Sequence, residues 1–189
     1  VADAIDREHD LAGELRAFLE HRFDREAEIE LAAEAADEAR ARQAALTLAD
    51  RLAQAGVAVA RTRVGATVRL QLVELGADWI AGHEIEGAAR LLIPMAAIEW
   101  ARIEAAGVGP PPDRRGRIRL THTLRELGRR RSAVEITLPT DRPTGTIDRV
   151  AEDHLDLAVH PLDEPRRPGA VSAVWLVPLG AIDRVRWWG

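Results

Sequence analysis

One stretch occurs twice in this chain, as LLIPMAAIEWARI at residues 91–103 and as WLVPLGAIDRVRW at residues 175–187. Both copies read as an apolar strand, a Pro, two or three small or apolar residues, an Ile followed by an acid, and a second alternating strand. GADWIAGHEI (76–85) leads into the first and AEDHLDLAVH (151–160) into the second, each an acidic start that opens a strand. Self-similarity at a fixed spacing names the folding unit. Two copies of one module are therefore the strongest constraint on what this chain can fold into.

The segments around the repeat fill in that module. Residues 3–55 hold no Pro and a single Gly, Gly13, and are rich in Ala, Glu, Leu and Arg, a composition that favours helix. Leu11, Leu15, Phe18, Leu19 and Phe23 fall at three- and four-residue steps and predict one apolar stripe. Between residues 29 and 46 the stripe thins to Ala, so an acidic helical arm over 1–45 is expected, solvated or self-associating. LTLADRLAQAG (46–56) reads as a separate short helix with Gly56 as its stop. From Val57 the period changes to two, the mark of half-buried strands. Five strands are predicted at 57–62, 67–75, 79–85, 90–94 and 98–103.

Residues 104–117 carry three consecutive prolines and three glycines and read as a linker. A second helix over 121–132 echoes the first, Thr123, Leu124 and Leu127 matching Thr47, Leu48 and Leu52. Five further strands follow at 133–139, 144–150, 154–160, 172–178 and 181–188, with DEPRRPGAV (163–171) inserted before the fourth. The expected organisation is an arm (1–45), a first module (46–103), a Pro/Gly/Arg linker (104–120) and a second module (121–189).

A short helix followed by five bent strands resembles the Sm-like family, which includes the bacterial RNA chaperone Hfq and the eukaryotic Sm and LSm proteins. TGTIDRVAEDHL matches that family's first motif, with Gly145 at its glycine and Asp153 at its acid. VRLQLVELGADW supplies Asp78 but has no Gly at the matching strand position. The second motif is similar to the repeated stretch itself. The layout is also similar to actinobacterial proteins labelled as transcriptional regulators, although no helix-turn-helix is visible here. The resemblance implies an α+β fold in which the arm precedes two small five-stranded Sm-like β-barrels. It also implies assembly by pairing the fourth strand of one barrel with the fifth of the next. The uridine-contacting Lys-His pair of Hfq-like proteins falls on Met95 and Ala96, and on Leu179 and Gly180, none of which donates a side-chain hydrogen bond. The Asn used by Sm proteins is a residue type this chain lacks. The fold is expected to carry over without the base pocket.

Other classes find little support. With no Cys, disulfides, thiolate nucleophiles and Cys-ligated metal are excluded. No apolar run approaches the roughly 20 residues that span a bilayer, and the acidic N-terminus is unlike a signal peptide, so a cytoplasmic protein without membrane contact is expected. The six histidines show no metal-binding spacing. His154 and His160 share a predicted strand face, but at about 3.3 Å per residue they lie about 20 Å apart. Asp148, Glu152, Asp153 and Asp156 crowd the second module, and strand alternation exposes most of them rather than gathering an acid–base pair. No catalytic residue, metal or cofactor is expected.

Two features remain as candidate binding residues. Arg114, Arg115, Arg117, Arg119, Arg125, Arg129, Arg130 and Arg131 face few acids and form a basic segment for phosphates or for an acidic partner, including the arm itself. No aromatic interleaves from residue 113 to 132, and the net charge is −5, so nucleic acid is the second choice. Trp187 and Trp188 sit on opposite sides of a strand, one as an interface anchor, or one in the core with its neighbour draped over a helix. The expected function is a non-catalytic regulatory or scaffold protein that acts by self-association or protein contacts. The alternative is a nucleic-acid-binding regulator using the basic segment.

Overall fold

The computed structural model describes residues 21–22, 25, 28–104, 112–164, 166–167 and 169–188. The chain forms two compact units, 1–47 and 48–189. The apolar stripe expected from Leu11 to Phe23 lies outside the described residues, as does the linker core at 105–111.

In the first unit residues 28–44 are helical (α1). The Ala-rich sequence leaves Ile29 and Leu31 exposed. Ion pairs one turn apart, Arg40 with Asp37 and Arg42 with Glu38 at 2.7 Å, lace its surface. Such pairs add about 0.2–0.5 kcal/mol each.

The second unit opens with α2 (Leu48–Leu52), β1 (Val57–Thr62), β2 (Thr67–Leu75), β3 (Trp79–Glu84) and β4 (Arg90–Pro94). A 3-10 turn (Met95–Ala97) leads to β5 (Ile98–Ile103), and β6 (Asp113–Arg114) follows. Next come α3 (Leu120–Arg129), β7 (Ala133–Thr137), β8 (Thr144–Val150) and β9 (His154–Val159). β10 (Ala173–Pro178), a 3-10 turn (Leu179–Ala181) and β11 (Arg184–Trp187) complete the chain.

The expectation of two closed five-stranded Sm-like barrels is corrected here. The described strands form one open sheet in the order β10-β9-β8-β7-β11-β4-β3-β2-β1-β5, with β6 parallel beside β2. Neither module closes on itself. β4 pairs across the modules with β11, in the register Leu92 to Val185, Leu91 to Arg186 and Arg90 to Trp187. An unpaired strand edge is a liability, and this ladder removes two of them within one chain.

The core follows the same seam. One apolar cluster gathers Leu120, Leu124 and Leu127 of α3 with β7–β11 residues, and it takes in Trp79, Ala81 and Leu92 from the first half. The other packs Leu52 of α2 on Leu70, Leu72, Ile80, Leu91 and Ile93. β4 therefore feeds both clusters, Leu91 into one and Leu92 into the other, as alternation along a strand requires.

The repeat itself is plain in the backbone. Pro94 (φ −58°, ψ 135°) and Pro178 (φ −58°, ψ 133°) each start a 3-10 turn. The residue after each Pro donates to the carbonyl of the matching acid, Met95 to Asp78 at 2.9 Å and Leu179 to Asp153 at 2.8 Å. Both second strands carry a register shift at corresponding places, between Leu72 and Glu74 and between Ile147 and Arg149.

Candidate functional site

The basic segment does not fold into one face. Arg114 in β6 pairs with Asp50 of α2 at 2.6 Å, and Arg115 pairs with Asp113 at 3.4 Å and Glu74 at 3.5 Å. Arg125 donates to the Val150 carbonyl at 3.2 Å. Arg119 is the residue that precedes α3, while Arg129 closes it and Arg130 and Arg131 follow. At 1.5 Å per residue, α3 separates those two groups by about 15 Å. Arg117, Arg119, Arg129, Arg130 and Arg131 are exposed and have no carboxylate partner among the described residues. The three carboxylates that do engage the segment come from α2, β2 and β6.

Trp187 lies inside the sheet. β11 is paired on both sides, with β7 and β4, so its indole is half-buried at the seam with the Arg90 guanidinium 5.6 Å from the ring centroid. Trp188, just beyond the strand, is 44 % exposed.

His154, His160, Asp148, Asp153 and Asp156, singled out in the sequence, have structural partners. His160 is buried; its Nδ1 faces the Pro161 carbonyl at 2.8 Å, which places the proton there and leaves Nε2 to accept from the Thr146 hydroxyl at 2.8 Å. His154 Nδ1 meets Asp153 at 2.6 Å, and this hydrogen bond holds the Asp153 carboxyl below the usual range. Asp148 is held by Arg166 at 2.6 Å and Asp156 by Arg149 at 3.0 Å. Among the described residues no group of three or more His, Asp or Glu side chains is arranged to hold a metal ion, and no described helix is long and apolar enough to cross a membrane.

The exposed residues on the outer edges of the sheet were not singled out by the sequence. Among the described strands, β10 pairs only with β9 and β5 only with β1. On β10, Val174, Trp175 and Leu176 are 56 %, 37 % and 68 % exposed. On β5, Trp100 and Ile103 are 43 % and 39 % exposed. The repeat alignment makes Trp175 and Leu176 the counterparts of Leu91 and Leu92, which are fully buried at the seam. The available signal was WLVP set against LLIP, but it says nothing about which copy finds a neighbour.

No protein-family model matches this chain, and no curated protein matches its sequence.

Proposed function

We propose that this is a non-catalytic interaction protein that self-associates by joining the β10 edge of one copy to the β5 edge of the next. The observation that carries the reading is the contrast just described. Side chains fully buried in β4 have exposed apolar counterparts in β10, next to a row of unpaired backbone groups. An exposed apolar edge strand is a template for a further strand.

The seam supplies the pattern for the joint. β4 on β11 sets Leu92 opposite Val185, Leu91 opposite Arg186 and Arg90 opposite Trp187. Carried through the repeat, the joint between copies sets Leu176 opposite Ala101, Trp175 opposite Arg102 and Val174 opposite Ile103. The contact is head-to-tail, so it propagates into a ring or a filament. Fourth-on-fifth pairing is also what the Sm-like resemblance implies for assembly, and the strand order within each half supports that relation without closed barrels. Engagement of Asp148 and Asp156 by arginines favours contact over catalysis.

Light scattering on a sizing column tests this reading. The native chain should elute above the monomer mass, and Leu176→Arg should shift it to monomer with an unchanged circular dichroism spectrum. A native chain that is monomeric at tens of micromolar, well above ordinary interface dissociation constants, would sink the reading.

A second reading has one specific observation behind it: five exposed arginines (Arg117, Arg119 and Arg129 to Arg131) lack carboxylate partners among the described residues. That supports phosphate contacts with RNA or DNA. Salt-titrated binding that is lost on charge reversal at Arg129 to Arg131 would favour it.

A further inference from the structure

Beside the seam lies a cleft of ≈ 100 Å³ between β2, β3 and β4 of the first half and α3 and β11 of the second. We infer that this cleft binds a small oxyanion, a carboxylate or phosphate group, between Arg90 and Arg130. Three arginines line it, Arg90, Arg115 and Arg130, against two acids, Glu74 and Glu126, a difference of one positive charge.

The pairing within the cleft decides which groups are available. Glu74 is taken by Arg115 at 3.5 Å. Glu126 reaches back one turn to His122 at 3.6 Å rather than forward to Arg130. Arg90 lies over the Trp187 ring and Arg130 is exposed at the end of α3, and neither has a carboxylate partner among the described residues. Two guanidinium groups with free forks thus line one opening, and their ten N–H donors (five on each guanidinium) match oxyanion acceptors bidentately.

The walls fix the size and character of the ligand. Trp79, fully buried, spends its indole N–H on the Ile118 carbonyl at 3.0 Å, so it contributes shape and not a donor. The volume admits one anionic group and a short body, well below the roughly 300–1,000 Å³ of cofactor and drug sites. The site exists only because β4 and β11 pair, since Arg90 and Trp187 are opposite one another in that ladder. It is independent of the outer edges.

The test is a ¹⁵N titration that follows the five Trp indole N–H signals, with the Trp187 signal assigned from a Trp187→Phe sample. Inorganic phosphate and acetate are added in separate arms at ionic strength matched with NaCl. The expected result is a saturable shift of the Trp187 signal with one or both anions, weakened by at least about tenfold in Arg90→Gln and in Arg130→Gln. Arg51→Gln, at an exposed position of α2 outside the cleft lining, should bind as the native chain does. The stronger arm identifies the preferred group. Arg130 is exposed, so Arg130→Gln reads the site even where Arg90→Gln disturbs the seam. A linear response equal to that of NaCl, or affinity unchanged in both cleft variants, would overturn the inference.

Discussion

Asp183 and Arg184 show how much a residue's neighbours matter in this fold. Both are buried, at 1 % and 5 % exposure, and they approach one another only to 3.8 Å. Burial pulls the Arg184 guanidinium below its ordinary pKa, the nearby Asp183 carboxylate opposing this. Asp183 also accepts from the Val64 N–H at 3.3 Å, tying the β1–β2 turn of the first half to the residue that leads into β11 of the second. Asp183→Ala removes the compensating charge and orphans that N–H, so a loss of about 3–5 kcal/mol is expected in urea unfolding. Arg131 is the opposite case. It is the single described non-glycine residue with positive φ, 52°, and it ends α3 where Ser132 N–H returns to Leu127. Glycine is the usual occupant of that position. Arg131→Gly should raise stability by about 0.5–1 kcal/mol, read as a higher thermal midpoint. Neither property was legible in the sequence. Asp183 read as a copy of Glu99, and Arg131 read as one of a row of bases.

At the scale of elements, alternation made the strands legible. β1, β2, β4, β5 and β8 have the bounds that the period-two pattern predicts, and the other repeat strands differ by one to three residues at one end or, for β11, at both. β6 was hidden, because Asp113–Arg114 sits in a Pro/Gly/Arg run and joins β2 through backbone hydrogen bonds that leave no side-chain period. The missing first-module glycine has a structural answer. In the second half, a Cβ on Gly145 of β8 would lie 2.0 Å from the Ala158 carbonyl of β9. In the first half the close approach is met from the other strand, where a Cβ on Gly82 of β3 would lie 2.2 Å from the Gln71 carbonyl of β2. Both second-to-third-strand pairs therefore need a glycine, on opposite members. Gly145→Ala and Gly82→Ala should each lower stability by about 1–3 kcal/mol in thermal or urea unfolding. Gly180→Ala, with nothing within 4 Å, should be close to neutral.

For the whole molecule, the seam decides everything that strand-by-strand reading left open. Leu91 and Leu92 have the same apolar character as Trp175 and Leu176, so hydrophobicity marks both strands as core-facing and does not say which one meets a partner in its own chain. Pairing β4 with β11 turns two expected barrels into one sheet and leaves β10 and β5 as unequal ends. Unequal ends make a sharp prediction. Leu176→Arg disables only the β10 edge, and a Trp100→Glu, Ile103→Arg pair disables only the β5 edge, so each variant alone should be monomeric. Mixed, they retain one working edge each, the β5 edge of the first and the β10 edge of the second. The mixture should form a one-to-one dimer that does not grow, because the remaining ends of that dimer are both disabled. A symmetric contact of like edges would instead let the one variant that keeps that edge pair with itself. Light scattering on the separate and mixed samples distinguishes the two geometries, and dimers in either separate sample would rule out the head-to-tail joint.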